Sequence, residues 1–394
     1  MKKLYIISEL FYPNKTSTAY IMTELAKYFA GSYDVSVLTT DMAYDTNISG
    51  EDEKLSFTIH RAKVKQVDKN SFFSRVKGAL GSSLVLTRSL WKQVKKGDKV
   101  LAVTNPFLII FFLALIRRFK AFEYTLLVHD VFPENTIPAG LKKEGSISYK
   151  ILKVFFDWSY RQADKVIVLG EDMKSLLVSK NVKSDKITVI SNWYDLDLVF
   201  NPNIDVEEYT NKPSLNNIIV IGFAGNVGRV QGLDRFIKSF IKANNEKLCF
   251  VIIGEGAQLN ELKELSKGQD NILFLGSKPR EEQSIFLSIF DIGLVTLAKG
   301  MYGLGVPSKS YNLLHLGKPI LYIGDSESEI DLMIKKYNCG WSTNWDNEEE
   351  LVSLLRSISS FDKECYYSQN TQIARDYYSL HKVMNQFKRV VDGE

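Results

Sequence analysis

A glycine-rich segment ahead of a predicted helix carries side chains suited to binding an anion. Residues 297–319 read LAKGMYGLGVPSKSYNLLHLGKP, in which three glycines precede Pro307, Ser308 and Lys309. Proline suits the first turn of a helix, where free N–H groups and the helix dipole attract negative charge. The hydroxyl of Ser308 and the ammonium group of Lys309 add donors. The segment predicts a phosphate site, or alternatively a plain glycine-rich turn, because such turns are common in α/β domains.

Three further glycine-rich turns follow predicted strands in the second half of the chain. They read GFAGNVGRVQG (222–232), IIGEG (252–256) and LGSKPREE (275–282). Arg229 and Lys278 lie in them and would join Lys309 in neutralising a diphosphate. Any one of these turns could be only a helix cap, but four on successive strands predict a nucleotide pocket.

In the first half, the segment HDVFPEN (129–135) directly follows the predicted strand EYTLLV. His129, Asp130 and Glu134 therefore come where the carboxyl end of a parallel strand places ligand-binding side chains. A carboxylate beside a histidine can accept a proton or orient a hydroxyl group. The alternative is that Asp130 caps a turn and that His129 is a satisfied, partly buried histidine.

A second candidate loop in the first half precedes a predicted helix over 19–30. It contains Thr16, Ser17 and Thr18, whose hydroxyl groups could donate to a phosphate or to an acceptor. Hydroxyl side chains at this place equally often act as N-caps of the helix. The sequence leaves both interpretations open.

The composition is that of a globular protein with more than one domain. The chain has 394 residues, 45% of them hydrophobic and 24% charged. Cys249, Cys339 and Cys365 are far apart and the four histidines do not cluster, so we expect a reducing compartment and no metal. The first residues run straight into a strand, which argues against a signal peptide. The longest apolar run, 106–116, is about half of the roughly 20 residues that a membrane-spanning helix needs.

Apolar runs alternate with helical patterns in both halves, which predicts an α/β protein with two doubly wound parallel sheets. We expect an N-terminal domain over 1–199, a linker over 200–217, a C-terminal domain over 218–375 and a last helix over 376–394. The predicted strands are 4–10, 34–40, 54–62, 98–104, 123–129, 164–170 and 186–191, then 217–225, 247–256, 271–277, 291–297 and 319–324.

Positive charge is concentrated in residues 54–120, which hold 15 lysines and arginines against two acidic residues. Predicted helices over 71–96 and 106–118 interleave the basic residues with apolar ones. The basic residues concerned are Arg75, Lys77, Arg88, Lys92, Lys95, Lys96, Arg117, Arg118 and Lys120. They form either the solvated side of core helices or a patch that rests on anionic lipid. We favour an anionic membrane surface over nucleic acid, because no nucleic-acid-binding signature is present.

Motifs in a fixed order along nearly the whole chain give a resemblance to a known family. They are SELFYPN (8–14), HDVFPEN (129–135), VISNWYD (189–195), FAGNVGRVQGL (223–233), VIIGEG (251–256), FLGSKPREE (274–282) and GVPSKSYNLLHLGKP (305–319). The chain resembles the family 4 glycosyltransferases of bacterial polysaccharide and lipopolysaccharide synthesis, which have the GT-B fold. The resemblance implies two Rossmann-like domains that face each other across a cleft, with a nucleotide diphosphate-sugar held mainly by the second. It also implies a C-terminal helix that returns to the first domain.

The resemblance and the glycine turns together indicate a set of donor-binding residues. They are Gly225, Asn226, Arg229, Gln231, Gly254, Glu255, Lys278, Tyr302, Gly303, Leu304, Gly305, Val306, Ser308, Lys309 and Asn312. The chain departs from the family at four of them. Leu304 and Asn312 stand where the family often has a Glu-x7-Glu pair, and Asn226 and Gln231 stand where it has an arginine and a lysine. Backbone N–H groups at 303–306 would then do most of the work on the sugar.

The resemblance implies a retaining hexosyl- or N-acetylhexosaminyltransferase with a donor that is expected to be UDP-linked. The acceptor would be lipid-linked or a glycan, in capsule, O-antigen or exopolysaccharide synthesis. The enzyme would need no cofactor or metal, and would be cytoplasmic and peripheral on the inner face of the plasma membrane. His129 would contact the donor sugar, while Asp130 and Glu134 would orient the acceptor. The alternatives are a catalytically silent binding subunit of an assembly complex, and a sugar-nucleotide epimerase.

Overall fold

Two compact units, each built on its own parallel sheet, make up the chain. The computed structural model describes residues 2–14, 16–41, 55–64, 72–138, 140–212 and 218–393. The N-terminal unit comprises Met1–Ile137, Lys142–Ile190 and Met384–Glu394, and the C-terminal unit comprises Pro138–Leu141 and Ser191–Val383. The prediction of two α/β domains with parallel sheets is confirmed.

In the described part of the N-terminal unit, the sheet has seven parallel strands in the order β3-β2-β1-β4-β5-β6-β7. The strands are β1 (Lys3–Ile7), β2 (Asp34–Thr40), β3 (Thr58–Ala62), β4 (Lys99–Val103), β5 (Glu123–Val128), β6 (Lys165–Val168) and β7 (Ile187–Val189). They are apolar runs because helices cover both faces of such a sheet, and every residue of β4 is buried. The strand order reverses between β1 and β4, where doubly wound sheets bind ligands.

Five helices within the described ranges connect these strands. They are α1 (Ser17–Ala30), α2 (Phe72–Gln93), α3 (Ile109–Arg117), α4 (Ile147–Arg161) and α5 (Glu171–Ser179). The predicted helices over 19–30, 71–96 and 106–118 correspond to α1, α2 and α3, with ends that differ by a few residues. Helix α4 had no counterpart among the named helical patterns, because its apolar residues face two directions rather than one.

The sheet of the C-terminal unit has six parallel strands in the order β10-β9-β8-β11-β12-β13. They are β8 (Ile219–Ala224), β9 (Leu248–Ile253), β10 (Ile272–Phe274), β11 (Ile292–Thr296), β12 (Ile320–Gly324) and β13 (Gly340–Asn344). The helices of this unit are α6 (Val206–Thr210), α7 (Leu233–Ala243), α8 (Leu259–Leu265), α9 (Gln283–Ser288), α10 (Lys309–His315), α11 (Glu329–Tyr337), α12 (Glu348–Ser357) and α13 (Lys363–Tyr377). Separate apolar clusters fill the two sides of the sheet, one around Tyr311 and Phe290 and the other around Phe236 and Phe250.

Residues 200–209, inside the segment predicted as a linker, pack on the C-terminal unit. Phe200, Ile204 and Val206 are partly buried against one of its apolar clusters. The two compact units divide between Ile190 and Ser191, which precedes the predicted linker by about ten residues. Residues 213–217 of that segment lie outside the described part of the chain.

The last helix, α14 (Leu380–Asp392), ends in the N-terminal unit. The Nζ of Lys99, which is 5% exposed, donates to the carbonyl of Val391 over 2.8 Å. The Nζ of Lys165 donates to the carbonyl of Val390 over 2.6 Å. Two lysines from the starts of β4 and β6 therefore cap the carbonyl end of this helix, where the helix dipole is negative.

Candidate functional site

The predicted glycine turns of the C-terminal unit meet at the carboxyl edge of its sheet. The N–H of Gly225 donates to the carbonyl of Ile253, and the N–H of Gly254 donates to the carbonyl of Gly276, both over 2.8 Å. The hydroxyl of Thr296, at the end of β11, donates to the carbonyl of Gln231 over 2.9 Å. These bonds hold the turns after β8, β9 and β10 and the end of β11 in one layer.

Lys309, the first residue of α10, brings an uncompensated positive charge into this layer. Its Nζ lies 5.1 Å from the centroid of the Phe223 ring. It also lies against Gly225, where the Cβ of any other residue would overlap the amine. The half-buried amine forms no hydrogen bond or ion pair with any described residue. Desolvation lowers its pKa to about 8. A cation that lies near an aromatic ring and against a glycine, with no hydrogen-bonding or acidic partner among the described residues, is suited to an anionic ligand.

The loop before Lys309 is fixed by a carboxylate that the sequence analysis did not single out. Asp325, directly after β12, accepts the N–H of Gly300 over 2.9 Å and the N–H of Tyr302 over 2.8 Å. The next residues differ, because the N–H groups of Gly305, Val306 and Ser308 donate to no described residue. The backbone donors expected over 303–306 are therefore open at 305 and 306, whereas Leu304 is buried and donates its N–H to the Met301 carbonyl.

Asn312, the expected ribose ligand, has one of its two polar atoms already engaged. Its Oδ1 accepts the N–H of Asp195 over 2.9 Å. Asp195 in turn pairs through its carboxylate with Arg280. The amide oxygen of Asn312 thus anchors the end of the VISNWYD motif, and its NH₂ group is left to donate to a ligand.

The other predicted donor residues of this unit differ in exposure. Asn226, Arg229 and Glu255 are exposed, and their side chains pair with no described residue. Lys278 is half-buried, and its Nζ lies 5.3 Å from the ring centroid of Tyr209 on α6. Arg229 is therefore available beside the turn after β8. The Lys278 amine, like that of Lys309, lies near an aromatic ring and forms no ion pair with a described residue.

In the N-terminal unit, His129 and Asp130 are held by the end of the neighbouring strand. The hydroxyl oxygen of Thr104, directly after β4, accepts the N–H of His129 over 3.1 Å and the N–H of Asp130 over 3.3 Å. Burial lowers the pKa of His129 to about 4, and its enclosed Nε2 has no hydrogen-bond partner among the described residues. The imidazole is thus neutral at pH 7 and has an unused polar atom.

Asp130 is exposed to solvent, but many protein atoms surround its carboxyl group. Desolvation by that environment raises its pKa to about 6. With this pKa the carboxylate is mostly ionised at pH 7 and takes up a proton as the pH falls through about 6, so it can change charge under mild conditions. His129 and Asp130 together offer a neutral imidazole and an accessible carboxylate at one strand end.

Glu134 belongs to a cluster of four charges. The ammonium group of fully buried Lys180 lies 2.5 and 2.7 Å from the two oxygens of Glu134, and 2.5 Å from Asp157. Lys153 contacts the same two carboxylates at 2.9 and 3.1 Å. Desolvation alone would raise the pKa of Glu134, but the charge of Lys180 and the hydrogen bonds from both lysines outweigh it, so the pKa is lowered. The contacts favour a positioning role for Glu134 over contact with a substrate.

The hydroxyl loop after β1 supplies a helix cap. The Oγ1 of Thr16 accepts the N–H of Ala19 over 3.3 Å, as an N-cap does. Ser17 is exposed and Thr18 is half-buried, and neither hydroxyl bonds to a described residue. Capping is thus the observed role for Thr16, while Ser17 and Thr18 keep the predicted capacity to donate.

Comparison with known proteins identifies the family. Residues 19–198 match the family described as Glycosyltransferase Family 4, and residues 205–370 match Glycosyl transferases group 1. The chain is 30% identical over 397 residues to "Probable glycosyltransferase WbjE" of Pseudomonas aeruginosa, covering 99% of this chain and 98% of that protein. The chain is a family 4 glycosyltransferase.

Two further relatives agree with this assignment and with the GT-B fold. The glycosyltransferase is 22% identical over 309 residues to "Putative colanic acid biosynthesis glycosyl transferase WcaI" of Escherichia coli, covering 76% of this chain and 74% of that one. The crystal structure of Anabaena Alr3699/HepE in complex with UDP matches all of both chains, with a TM-score of 0.72 and 14% identity. A second structure of that protein, with UDP-glucose, has a TM-score of 0.71 and 15% identity.

The basic residues of the glycosyltransferase that were predicted to contact lipid lie mostly on an exposed side of α2 and after α3. Those with exposed side chains are Lys77, Arg88, Lys92, Lys95, Lys96 and Arg118, and Lys120 is half-exposed. Arg117 is instead paired with Asp164 through two of its nitrogens. The side chain of Arg75 is outside the described part of the structure. Most of the predicted patch is thus available to an anionic surface.

No described helix combines the length and apolar character that crossing a membrane requires. Nor does any group of three or more histidine, cysteine, aspartate and glutamate side chains in the described ranges have the arrangement of a metal site.

Sequence reasoning missed several residues that shape the two sites of this glycosyltransferase. Asp325 and Thr104 directly follow buried strands, so their position at the carboxyl edge of a sheet was a usable signal. Lys180 and Phe223 gave no such signal, because nothing local indicates that Lys180 meets Glu134 or that Phe223 lies under Lys309.

Proposed function

We propose that the protein transfers a sugar from a UDP-linked donor to a membrane-held acceptor, with retention of anomeric configuration, in the synthesis of a surface polysaccharide. The observation that carries this proposal is the unpaired ammonium group of Lys309 within the layer of glycine turns. Structural neighbours that hold UDP and UDP-glucose support a nucleotide-sugar donor. The name of the relative WcaI, which mentions colanic acid biosynthesis, supports a polysaccharide product.

In the proposed reaction the bond between sugar C1 and the diphosphate oxygen breaks, and its electron pair stays on the diphosphate. The acceptor oxygen bonds to C1 on the same face of the ring, and the acceptor proton passes to the leaving diphosphate. Negative charge grows on the diphosphate as the bond lengthens. Lys309 and Arg229, with the open N–H groups at 305 and 306, stabilise that charge more in the transition state than in the ground state.

In this proposal the N-terminal unit supplies the polar groups that act on the sugar and acceptor. The neutral imidazole of His129 has an unused nitrogen to contact a sugar hydroxyl, and the exposed carboxylate of Asp130 orients the acceptor hydroxyl. Glu134 acts on them indirectly, because it fixes the loop that carries both. The exposed basic residues of α2 and Arg118 draw the enzyme to an anionic membrane at the cytoplasmic face, where a lipid-linked or glycan acceptor is held.

The test is nucleotide release from a panel of UDP- and GDP-linked hexoses and N-acetylhexosamines, with membrane extract as the source of acceptor. We expect release of UDP that depends on the extract, together with sugar appearing in the lipid fraction at retained configuration. Tight UDP-sugar binding without release would overturn the proposal in favour of a silent binding subunit. Conversion of the sugar-nucleotide without any extract would overturn it in favour of an epimerase.

Gly225→Ala is expected to weaken UDP binding by about 10- to 100-fold, the worth of one charge-assisted contact. The new Cβ would overlap the amine of Lys309 and displace it. Isothermal titration with UDP measures the change. The matched control is Gly276→Ala, because Gly276 also has a positive φ, of 70°, but an added Cβ there has nothing within 4 Å. Equal losses of affinity in both variants would mean that backbone strain, rather than Lys309, controls binding.

A further inference from the structure

Helix α4 presents a stripe of large apolar side chains to solvent. Ile147, Ile151, Val154 and Phe155 are 79%, 54%, 68% and 50% exposed. Their spacing of four, three and one residues puts them on one side of the helix. At least half of each side chain is exposed to solvent. Packing of the core therefore does not explain why these four positions are apolar.

The opposite side of α4 already attaches the helix to the N-terminal unit. Phe156 and Tyr160 are buried there, and the ring of Phe156 stacks on that of Phe132 with centroids 5.7 Å apart. One apolar side is enough to hold a helix on a sheet. A second apolar side of the same helix that is exposed and contiguous indicates an interaction surface.

The stripe continues from α4 onto α3. Phe111 of α3 lies 5.3 Å from Phe155 and 5.8 Å from Trp158, centroid to centroid. The guanidinium group of Arg118 lies 5.9 Å from the Trp158 ring. The apolar surface therefore runs across two helices, with a cation resting on an aromatic ring at its margin.

Contacts between α3 and α2 extend the same surface. Phe119, which is 77% exposed, packs edge-on against Trp91 with centroids 6.2 Å apart. The Nζ of Lys120 lies 5.2 Å from the Trp91 ring. Leu80 and Leu84 of α2 are also exposed. We call this surface the α2–α4 face, defined by its exposed apolar residues Leu80, Leu84, Trp91, Phe119, Ile147, Ile151, Val154 and Phe155.

The margin of the α2–α4 face is strongly cationic. Exposed side chains around it are Lys77, Arg88, Lys92, Lys95, Lys96, Arg118, Lys143, Lys150 and Arg161, with Glu144 as an exposed acidic neighbour. An apolar centre with a cationic margin complements an anionic lipid surface, in which headgroups lie above hydrocarbon. A second copy of this chain fits less well, because a two-fold contact would bring the same positive margins together.

We propose that the α2–α4 face docks on an anionic lipid bilayer and that α4 is the helix whose apolar side enters the interface. The basic residues of α2 then contact headgroups, while Ile147, Ile151, Val154 and Phe155 reach the acyl boundary. This rests on the proposed function, because it specifies the membrane at which the acceptor is held. Since Phe132, in the loop of His129 and Asp130, stacks on Phe156 of α4, docking on α4 keeps the N-terminal site close to the lipid.

The experiment is flotation of the full chain with vesicles of equal parts phosphatidylcholine and phosphatidylglycerol. The variant Ile147→Ser/Ile151→Ser/Val154→Ser removes three of the four apolar side chains of the stripe without changing a buried residue. The matched control, Val178→Ser/Val199→Ser/Ile285→Ser, changes three apolar residues that are 42%, 67% and 38% exposed elsewhere. We expect the stripe variant to lose at least tenfold in vesicle partitioning and the control to float like the wild type.

Equal flotation of the stripe variant and the wild type would overturn the proposal. So would a wild-type dimer in analytical ultracentrifugation that the stripe variant abolishes while vesicle binding is unchanged, because a second copy would then occupy the face. UDP affinity, measured in the same preparations, separates the two proposals. Lost flotation with intact UDP binding in the stripe variant supports docking. A wild type that floats but binds no nucleotide would sink the proposed function and leave docking standing.

Discussion

Lys309→Ala is expected to lower kcat/KM for the nucleotide-sugar donor by about 10²–10³-fold, the usual effect of removing one preorganised group that stabilises developing charge. The Lys309 amine has no ion pair with a described residue and lies against Gly225, within the layer of glycine turns that we propose holds the diphosphate. Initial rates with the preferred donor and membrane extract measure the loss. Wild-type kcat/KM in the variant would mean that the donor binds elsewhere.

The same substitution should not destabilise the protein at pH 7. Desolvation lowers the folded-state pKa of Lys309 to about 8 from its ordinary 10.5, so the folded state holds this proton less tightly than the unfolded chain. The destabilising effect of the charged amine is complete below pH 8, where both states are protonated, and disappears as pH rises towards 10.5. We therefore expect the Tm of Lys309→Ala at pH 7 to equal or exceed that of the wild type.

Lys309→Arg provides the matched control for charge. In the wild type, UDP affinity should fall as pH rises through about 8, because the free amine loses its proton. A guanidinium group stays charged throughout this range. The affinity of the arginine variant, although altered by the larger side chain, should therefore be flat between pH 7 and 9.5. A flat profile in the wild type as well would contradict the proposed role of the amine.

Lys180→Met is expected to destabilise the N-terminal unit by about 3–5 kcal/mol, a loss of roughly 10 °C in Tm. The substitution leaves the Glu134 and Asp157 carboxylates together with only the partly exposed Lys153 to neutralise them. Because the pKa of Glu134 is lowered in the fold, its stabilising contribution is present at neutral pH and is lost as pH falls through that pKa. The variant should therefore lose less stability on acidification than the wild type does.

Two variants test whether the buried charge is the cause. Lys153→Met removes the exposed partner of the same carboxylates and should cost about 1 kcal/mol or less. Lys180→Met/Glu134→Gln/Asp157→Asn neutralises the cluster and should recover part of the lost Tm. If Lys153→Met is as damaging as Lys180→Met, the burial of Lys180 is not what makes the cluster important. Urea unfolding at pH 7 and at pH values below 4.5, the ordinary pKa of a glutamate, provides the measurements.

The sheets could be predicted from the sequence because their strands are buried on both faces. Runs such as those at 98–104 and 247–256 leave little ambiguity between strand and loop, and β4 and β9 lie within them. Helix α4 was different, because Ile147 and Val154 face solvent while Phe156 and Tyr160 face the core. Apolar residues on two sides blur the helical period, and the same feature now identifies α4 as an interaction surface.

The part of the site that could be predicted is the part that local sequence determines. Glycine turns after strands predicted where Gly225 and Gly254 meet, since parallel strands end at one edge. Which polar groups remain available is decided by contacts between residues far apart in the chain. Glu134 meets Lys180 across 46 positions, and Asn312 meets Asp195 across 117. No motif indicates that these side chains are already engaged.

The capping of α14 by Lys99 and Lys165 has a consequence for how the protein is made. The N-terminal unit takes in residues 384–394, so its sheet is synthesised long before the helix that completes it. Until those residues leave the ribosome, the Lys99 ammonium group lacks the Val391 carbonyl, and Glu123 is the partner that remains for it among the described residues. Folding of the N-terminal unit is therefore completed only after α14 has been synthesised, although most of the unit is translated first.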